Sequence, residues 1–129
     1  AAPADSLVAD ASMRGDIDQV EALLARGADV QTARADGMTA LHWAARRSDV
    51  DLAEMLIYAG ANLDALTRLG QHTPLHAASR SGNDTGARAL LEAGADRTLR
   101  ATGGDYVFKT AREIAEEECE AEVAALLRE

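Results

Sequence analysis

An all-α solenoid of helix-turn-helix units, joined by β-hairpin finger loops, is the fold class the sequence predicts. Three observations point to it. Apolar residues recur at i, i+3, i+4 in paired stripes, which is helical spacing. The paired stripes repeat with a period of 33–34 residues. A glycine follows the second stripe of the first three units, at Gly27, Gly60 and Gly94, where a left-handed residue stops a helix.

The elements follow in order. Leu7, Val8 and Ala11 predict a helix over 6–13, and Gly15-Asp16 breaks it. Ile17, Val20, Leu23 and Leu24 give a second helix over 17–26. The stretch from Asp29 to Met38 is a finger that turns at Asp36-Gly37, a strong tight-turn pair. Thr39 then stands where a helix N-cap is wanted. Leu41, Ala44 and Ala45 predict a helix over 40–47, Ser48-Asp49 interrupts it, and Leu52, Met55, Leu56 and Ala59 predict one over 50–59. Thr73-Pro74-Leu75-His76-Ala77-Ala78 repeats Thr39-Ala40-Leu41-His42-Trp43-Ala44 at an offset of 34, with Pro74 suited to the first helical position. That predicts helices over 74–81 and 84–93. In the second of these Gly86 takes the place of Leu52, so Ala, Leu or Ile at Gly86 is expected to stabilise the chain. The fingers after Asn62 and Asp96 lengthen progressively. Tyr106-Val107-Phe108 in the third is expected to pack across the last unit as a lid, the other reading being an exposed aromatic patch. Thr110-Ala111-Arg112-Glu113 opens helices over 110–118 and 121–128 as a capping box.

Leu56-Ile57-Tyr58-Ala59-Gly60-Ala61-Asn62 returns as Leu90-Leu91-Glu92-Ala93-Gly94-Ala95-Asp96 and, upstream, as Leu23-Leu24-Ala25-Arg26-Gly27-Ala28-Asp29. Together with the two Thr-x-Leu-His blocks at this period, the chain resembles the ankyrin repeat family. The resemblance implies one domain over 1–129, with approximate units 4–35, 36–69, 70–103 and 104–129. The first and last act as caps: Ala9 and Asp10 replace the His and its neighbour in the first unit, and a polar outer face suits a cap. Arg112 stands where the family has Leu, which is expected to weaken the last interface.

Composition narrows the function. The formal net charge of −9 opposes binding to phosphate backbones, so no nucleic acid partner is expected. No run approaches a membrane-spanning length. Cys119 is alone and can form no intrachain disulfide, which is compatible with a reducing cytoplasm. A second reading of the start, Ala1-Ala2-Pro3-Ala4, is a mature terminus left by removal of a secretory signal, which would place the chain in the periplasm or outside the cell. Lys109 is the one lysine against twelve arginines, a compositional hint of a GC-rich bacterial genome.

Catalytic chemistry finds no foothold. The chain has no glycine-rich phosphate loop, nucleophile elbow or His-Glu-x-x-His, and nothing marks a carboxylate pair as acid and base. His42 and His76 lie at one position of adjacent units, and a zinc site needs three or four converging ligands. The resemblance implies a structural role for Thr39, His42, Thr73 and His76, as for the stops Gly27, Gly60 and Gly94. No metal, cofactor or enzymatic activity is expected.

The family's groove is lined by finger tips and the exposed side of each first helix. Carried over residue by residue, those positions are Met38, Trp43, Arg46 and Arg47, then His72, Ala77, Arg80 and Ser81, with Met13 and Arg14 in the first unit and Arg34, Arg68, Leu69 and Arg100 on fingers. Trp and Arg dominate interface hot spots, so Trp43 is the expected anchor with arginines around it. The expected function is that of a monomeric, non-catalytic module that binds a protein through this surface. The alternatives are a receptor for a small ligand or anion using Trp43 and the groove arginines, a scaffold with no dedicated partner, or a merely solvated mixed surface.

Overall fold

The computed structural model describes residues 7–128; Ala1–Ala4 and Ser6, on which expectations were placed, lie outside them. Eight α-helices follow in chain order: α1 (Leu7–Arg14), α2 (Ile17–Ala25), α3 (Ala40–Arg46), α4 (Val50–Tyr58), α5 (Pro74–Ser81), α6 (Asp84–Ala93), α7 (Ala111–Glu117) and α8 (Ala121–Arg128). A 3₁₀ turn covers Gly104–Tyr106.

The helices form two layers. α1, α3, α5 and α7 pack side by side in that order, and α4, α6 and α8 pack behind them. Leu41 and Leu75 of the first layer and Leu52, Leu56 and Leu90 of the second are all but sealed from solvent. Ala44, Ala45 and Ala78 between them are buried too, and their small side chains let the first-layer helices approach closely. α7 and α8 extend the same stack, with Ile114, Ala115, Val123 and Leu127 buried against the third unit. Arg112 is exposed and lies near Glu116 on its own helix, so the side chain that departs from the family's Leu stays out of that core.

Two devices repeat along the chain. After α2, α4 and α6 the chain turns left-handed at Gly27, Gly60 and Gly94, with φ of 85°, 92° and 107°. The next residue's amide reaches back five positions, as in Ala61 N–H to Leu56 O at 3.0 Å, which satisfies the last carbonyls. At the start of α3, α5 and α7 a threonine hydroxyl accepts from the N3 amide while the N3 side chain accepts from the threonine amide. His42, His76 and Glu113 fill that N3 position, so each histidine stands where a capping box ordinarily has Glu or Gln.

Two expectations are corrected. The fingers are not β-hairpins: no strand occurs among the described residues. The first finger closes on Arg34 N–H to Met38 O at 3.1 Å and Gly37 N–H to Arg34 O at 2.8 Å, and the second on Thr67 N–H to His72 O at 3.1 Å. One or two bonds close a turn but do not make a ladder of successive pairs.

Gly86 is not a hole waiting to be filled. A Cβ there would meet Asn83 Nδ2 at 2.2 Å and Asn83 Cγ at 2.7 Å. Asn83 is buried, and its side chain joins two units. Its Oδ1 caps α6 by accepting from Gly86 N–H at 2.8 Å. Its Nδ2 donates to Ala45 O at 3.0 Å, at the C-terminal end of α3. Side-chain volume at Gly86 would displace both bonds.

Candidate functional site

The fingers and the first-layer helices enclose an open groove of about 430 Å³. Its floor is built from capped helix starts. His42 Nδ1 accepts from Thr39 N–H at 3.1 Å, and its Nε2 donates to His72 O at 2.8 Å. A carbonyl only accepts, so Nε2 carries the hydrogen and the ring is neutral. His76 repeats this one unit on, with Thr73 N–H at 3.0 Å and Lys109 O at 3.1 Å. Each histidine thus ties its own helix start to the end of the following finger. Burial holds both below the ordinary histidine value, His76 at about 4. Both ring nitrogens are engaged, and the described residues contain no cluster of His, Cys, Asp or Glu suited to a metal ion.

His72 comes from the end of the second finger. Its Nε2 lies 3.3 Å from Gly103 O, and its ring centroid lies 5.7 Å from that of His76 and 6.2 Å from that of Tyr106. Met38 and Leu69, from the first and second fingers, add apolar surface, and Leu69 is 88% exposed. Arg46 of α3 and Arg80 of α5 supply positive charge. The Arg46 guanidinium lies 5.3 Å from the Trp43 ring centroid, and that of Arg80 lies 5.6 Å from Tyr106.

Of the residues carried over from the sequence, Met38, Arg46, His72, Ala77, Arg80 and Ser81 line this groove together. The others do not. Trp43 lies outside the lining, half-buried, with its Nε1 shielded from solvent and without an acceptor among the described residues. The Arg46 guanidinium lies over its ring. Arg34 forms an ion pair with Asp10 of the first unit. Arg47 donates to Met13 O at 3.1 Å, across the end of α1. Arg68 donates to Ala35 O at 3.2 Å, tying one finger to the next. Arg100 bonds Phe108 O at 2.6 Å and Glu113 at 2.9 Å. Arg14 is exposed at the end of α1, away from the groove lining.

Tyr106, like Asp36, Thr67 and Ile114, lines the groove without having been found by repeat spacing. Of the expected lid, it alone packs, at 5% exposed, with its hydroxyl bonded to the Glu118 carboxylate. Phe108 is 70% exposed. The signal was an aromatic run in a finger too long for the repeat, which marks the segment without saying which ring turns inward.

The sequence matches the profile of a family described as "Ankyrin repeats (3 copies)" over residues 8–101. It is similar to Protein PhlB of Serratia liquefaciens, 40% identical over 97 residues, covering 75% of this chain and 43% of that protein. It is also similar to Ankyrin repeat and SOCS box protein 11 of Danio rerio, 40% identical over 95 residues, covering 74% and 32%. Palmitoyltransferase Hip14 of Drosophila melanogaster is 34% identical over 97 residues, covering 75% and 15%. The chain thus spans less than half the length of each of these relatives.

Proposed function

The chain belongs to the ankyrin repeat family, and from that premise we propose that it is a non-catalytic module that binds a protein partner in the groove between its fingers and first-layer helices. Ankyrin repeats are generally protein-interaction modules, and stacked units present an extended surface because each contacts only its neighbours. The observation that carries the reading is the make-up of the groove: Met38 and Leu69 on its rim, and Arg46 and Arg80 beside them. Methionine and arginine are among the residues interfaces are enriched in, and Leu69 adds exposed apolar surface beside them. The activities named for the relatives are not carried over, since the shared stretch is 43% of one protein and 15% of another.

In this reading the chain is a monomer that takes neither nucleic acid nor membrane as partner. Its net charge of −9 repels phosphate backbones. No helix among the described residues is long and apolar enough to cross a membrane.

A groove variant, Leu69→Asp with Arg46→Glu and Arg80→Glu, tests the proposal beside a control changed at Glu54 and Arg88 on the second-layer helices. Partners captured by the native chain and the control, and lost by the groove variant, are expected. Equal capture by all three would sink it. A small-anion receptor is the second reading, favoured by two guanidiniums at one cavity. A thermal shift with inorganic phosphate or citrate that Arg46→Gln and Arg80→Gln abolish, with no protein captured, would establish it instead.

A further inference from the structure

Most of the arginines expected in the groove are consumed by the fold. Arg34, Arg47, Arg68 and Arg100 each hold a carbonyl or carboxylate of their own chain. Arg46 and Arg80 do not. Neither has a carboxylate partner among the described residues, in a chain with 22 acidic against 13 basic side chains. Each instead lies over an aromatic ring, Trp43 for Arg46 and Tyr106 for Arg80. A guanidinium laid on a ring face keeps its in-plane N–H groups free, and that fork matches a carboxylate. The ring also limits the rotamers of the long side chain, so less entropy is lost when it binds.

The two arginines occupy equivalent positions on successive first-layer helices, 34 residues apart. Packed helices run about 8–10 Å apart, which sets the repeat of the two forks along the groove. A polyproline-II segment places residues i and i+3 on one face, about 9 Å apart. Asp36 is the one carboxylate among the lining residues, so the groove is locally positive within an acidic chain.

Resting on the protein-binding reading above, we infer that the groove is built for an extended acidic segment of a partner protein, with two carboxylates separated by two residues. One carboxylate sits on Arg46 and the other on Arg80. An apolar side chain between them lies against Leu69 and Met38.

Panning a phage-displayed library of short random peptides on the immobilised full chain, then measuring the recovered peptides by fluorescence anisotropy, tests this. The expected binders carry two Asp or Glu with two residues between. Replacing either acid by the amide weakens binding about tenfold or more, as does Arg46→Gln or Arg80→Gln, because a charge-assisted bond is lost. Each amide peptide then loses little further against the variant lacking its own arginine. Arg46→Lys keeps the charge without the fork and recovers part of the loss. Peptides that bind in a Leu69-dependent way but carry no such pair, or that tolerate both arginine variants, overturn this inference and leave the proposed function standing. Inorganic phosphate that displaces the peptides as strongly as a free diacid peptide would make this a small-anion site and overturn it. Recovery of no peptide sensitive to Leu69, Arg46 or Arg80 overturns both readings.

Discussion

Replacing Gly86 with Ala should destabilise the chain, against what helix propensity says. In an exposed helix interior the change is worth about 1 kcal/mol in favour of Ala. Here the new Cβ would come within 2.2 Å of Asn83 Nδ2, a short buried side chain with nowhere to swing. If Asn83 yields, α6 loses the cap bond from Gly86 N–H at 2.8 Å, worth about 1 kcal/mol. Ala45 O loses its side-chain donor at 3.0 Å, keeping Ser48 N–H at 3.4 Å, and the Asn83 amide is left buried and unpaired, at roughly 1–3 kcal/mol. The net expectation is a loss of about 1–3 kcal/mol, larger for Leu or Ile. Urea unfolding of Gly86→Ala, Asn83→Ala and the double variant measures it. In the Asn83→Ala background the obstruction is gone, so Gly86→Ala should become neutral or stabilising by up to about 1 kcal/mol. A higher midpoint for Gly86→Ala in the native background would refute the reasoning, because Asn83 would then have been free to move.

Acid should weaken the fold through His76 and His42, whose folded forms are neutral because burial depresses them. The unfolded chain takes up these protons first. The contribution of His76 is therefore full above about pH 6.5 and is lost between there and about 4, a loss of at most about 3 kcal/mol, and His42 acts in the same direction. His76→Gln keeps a capping-box residue at N3 and should flatten the urea-midpoint profile across that window, whereas an unchanged slope would count against the linkage. Cys119, at φ 60°, and Ser48, at φ 58°, occupy left-handed positions, so Cys119→Gly and Ser48→Gly should each raise stability by about 0.5–1 kcal/mol in thermal melts. Trp43 emission should be intermediate in wavelength and partly quenched by acrylamide, with quenching increased by Arg46→Gln once the guanidinium no longer covers the ring; identical quenching in both proteins would remove Arg46 from that face.

Local chemistry and short periodicities determined most of the architecture. Helix positions, glycine stops, threonine caps and the break within each pair depend on residues within five positions of one another, so the chain order displays them directly. The absence of strands in the fingers was less legible, since Asp36-Gly37 announces a turn but not how many bonds follow it. The groove was legible only as a set of positions. Repeat register placed Met38, Arg46, His72, Ala77, Arg80 and Ser81 on one surface, and they meet there.

Tertiary structure alone decided which side chains are free to act. Asp10 takes Arg34, Met13 O takes Arg47 and Ala35 O takes Arg68, leaving Arg46 and Arg80 in the groove without a carboxylate partner among the described residues. Asn83 reaches 38 residues back to Ala45 O and turns an apparent cavity at Gly86 into filled space. Tyr106 turns inward from a finger whose length breaks the repeat, and Trp43 lies under the Arg46 guanidinium. Propensity and periodicity act on neighbours in the chain. Hydrogen-bond and ion-pair partners are settled by distance in space, and a partner some thirty residues away leaves no local signal.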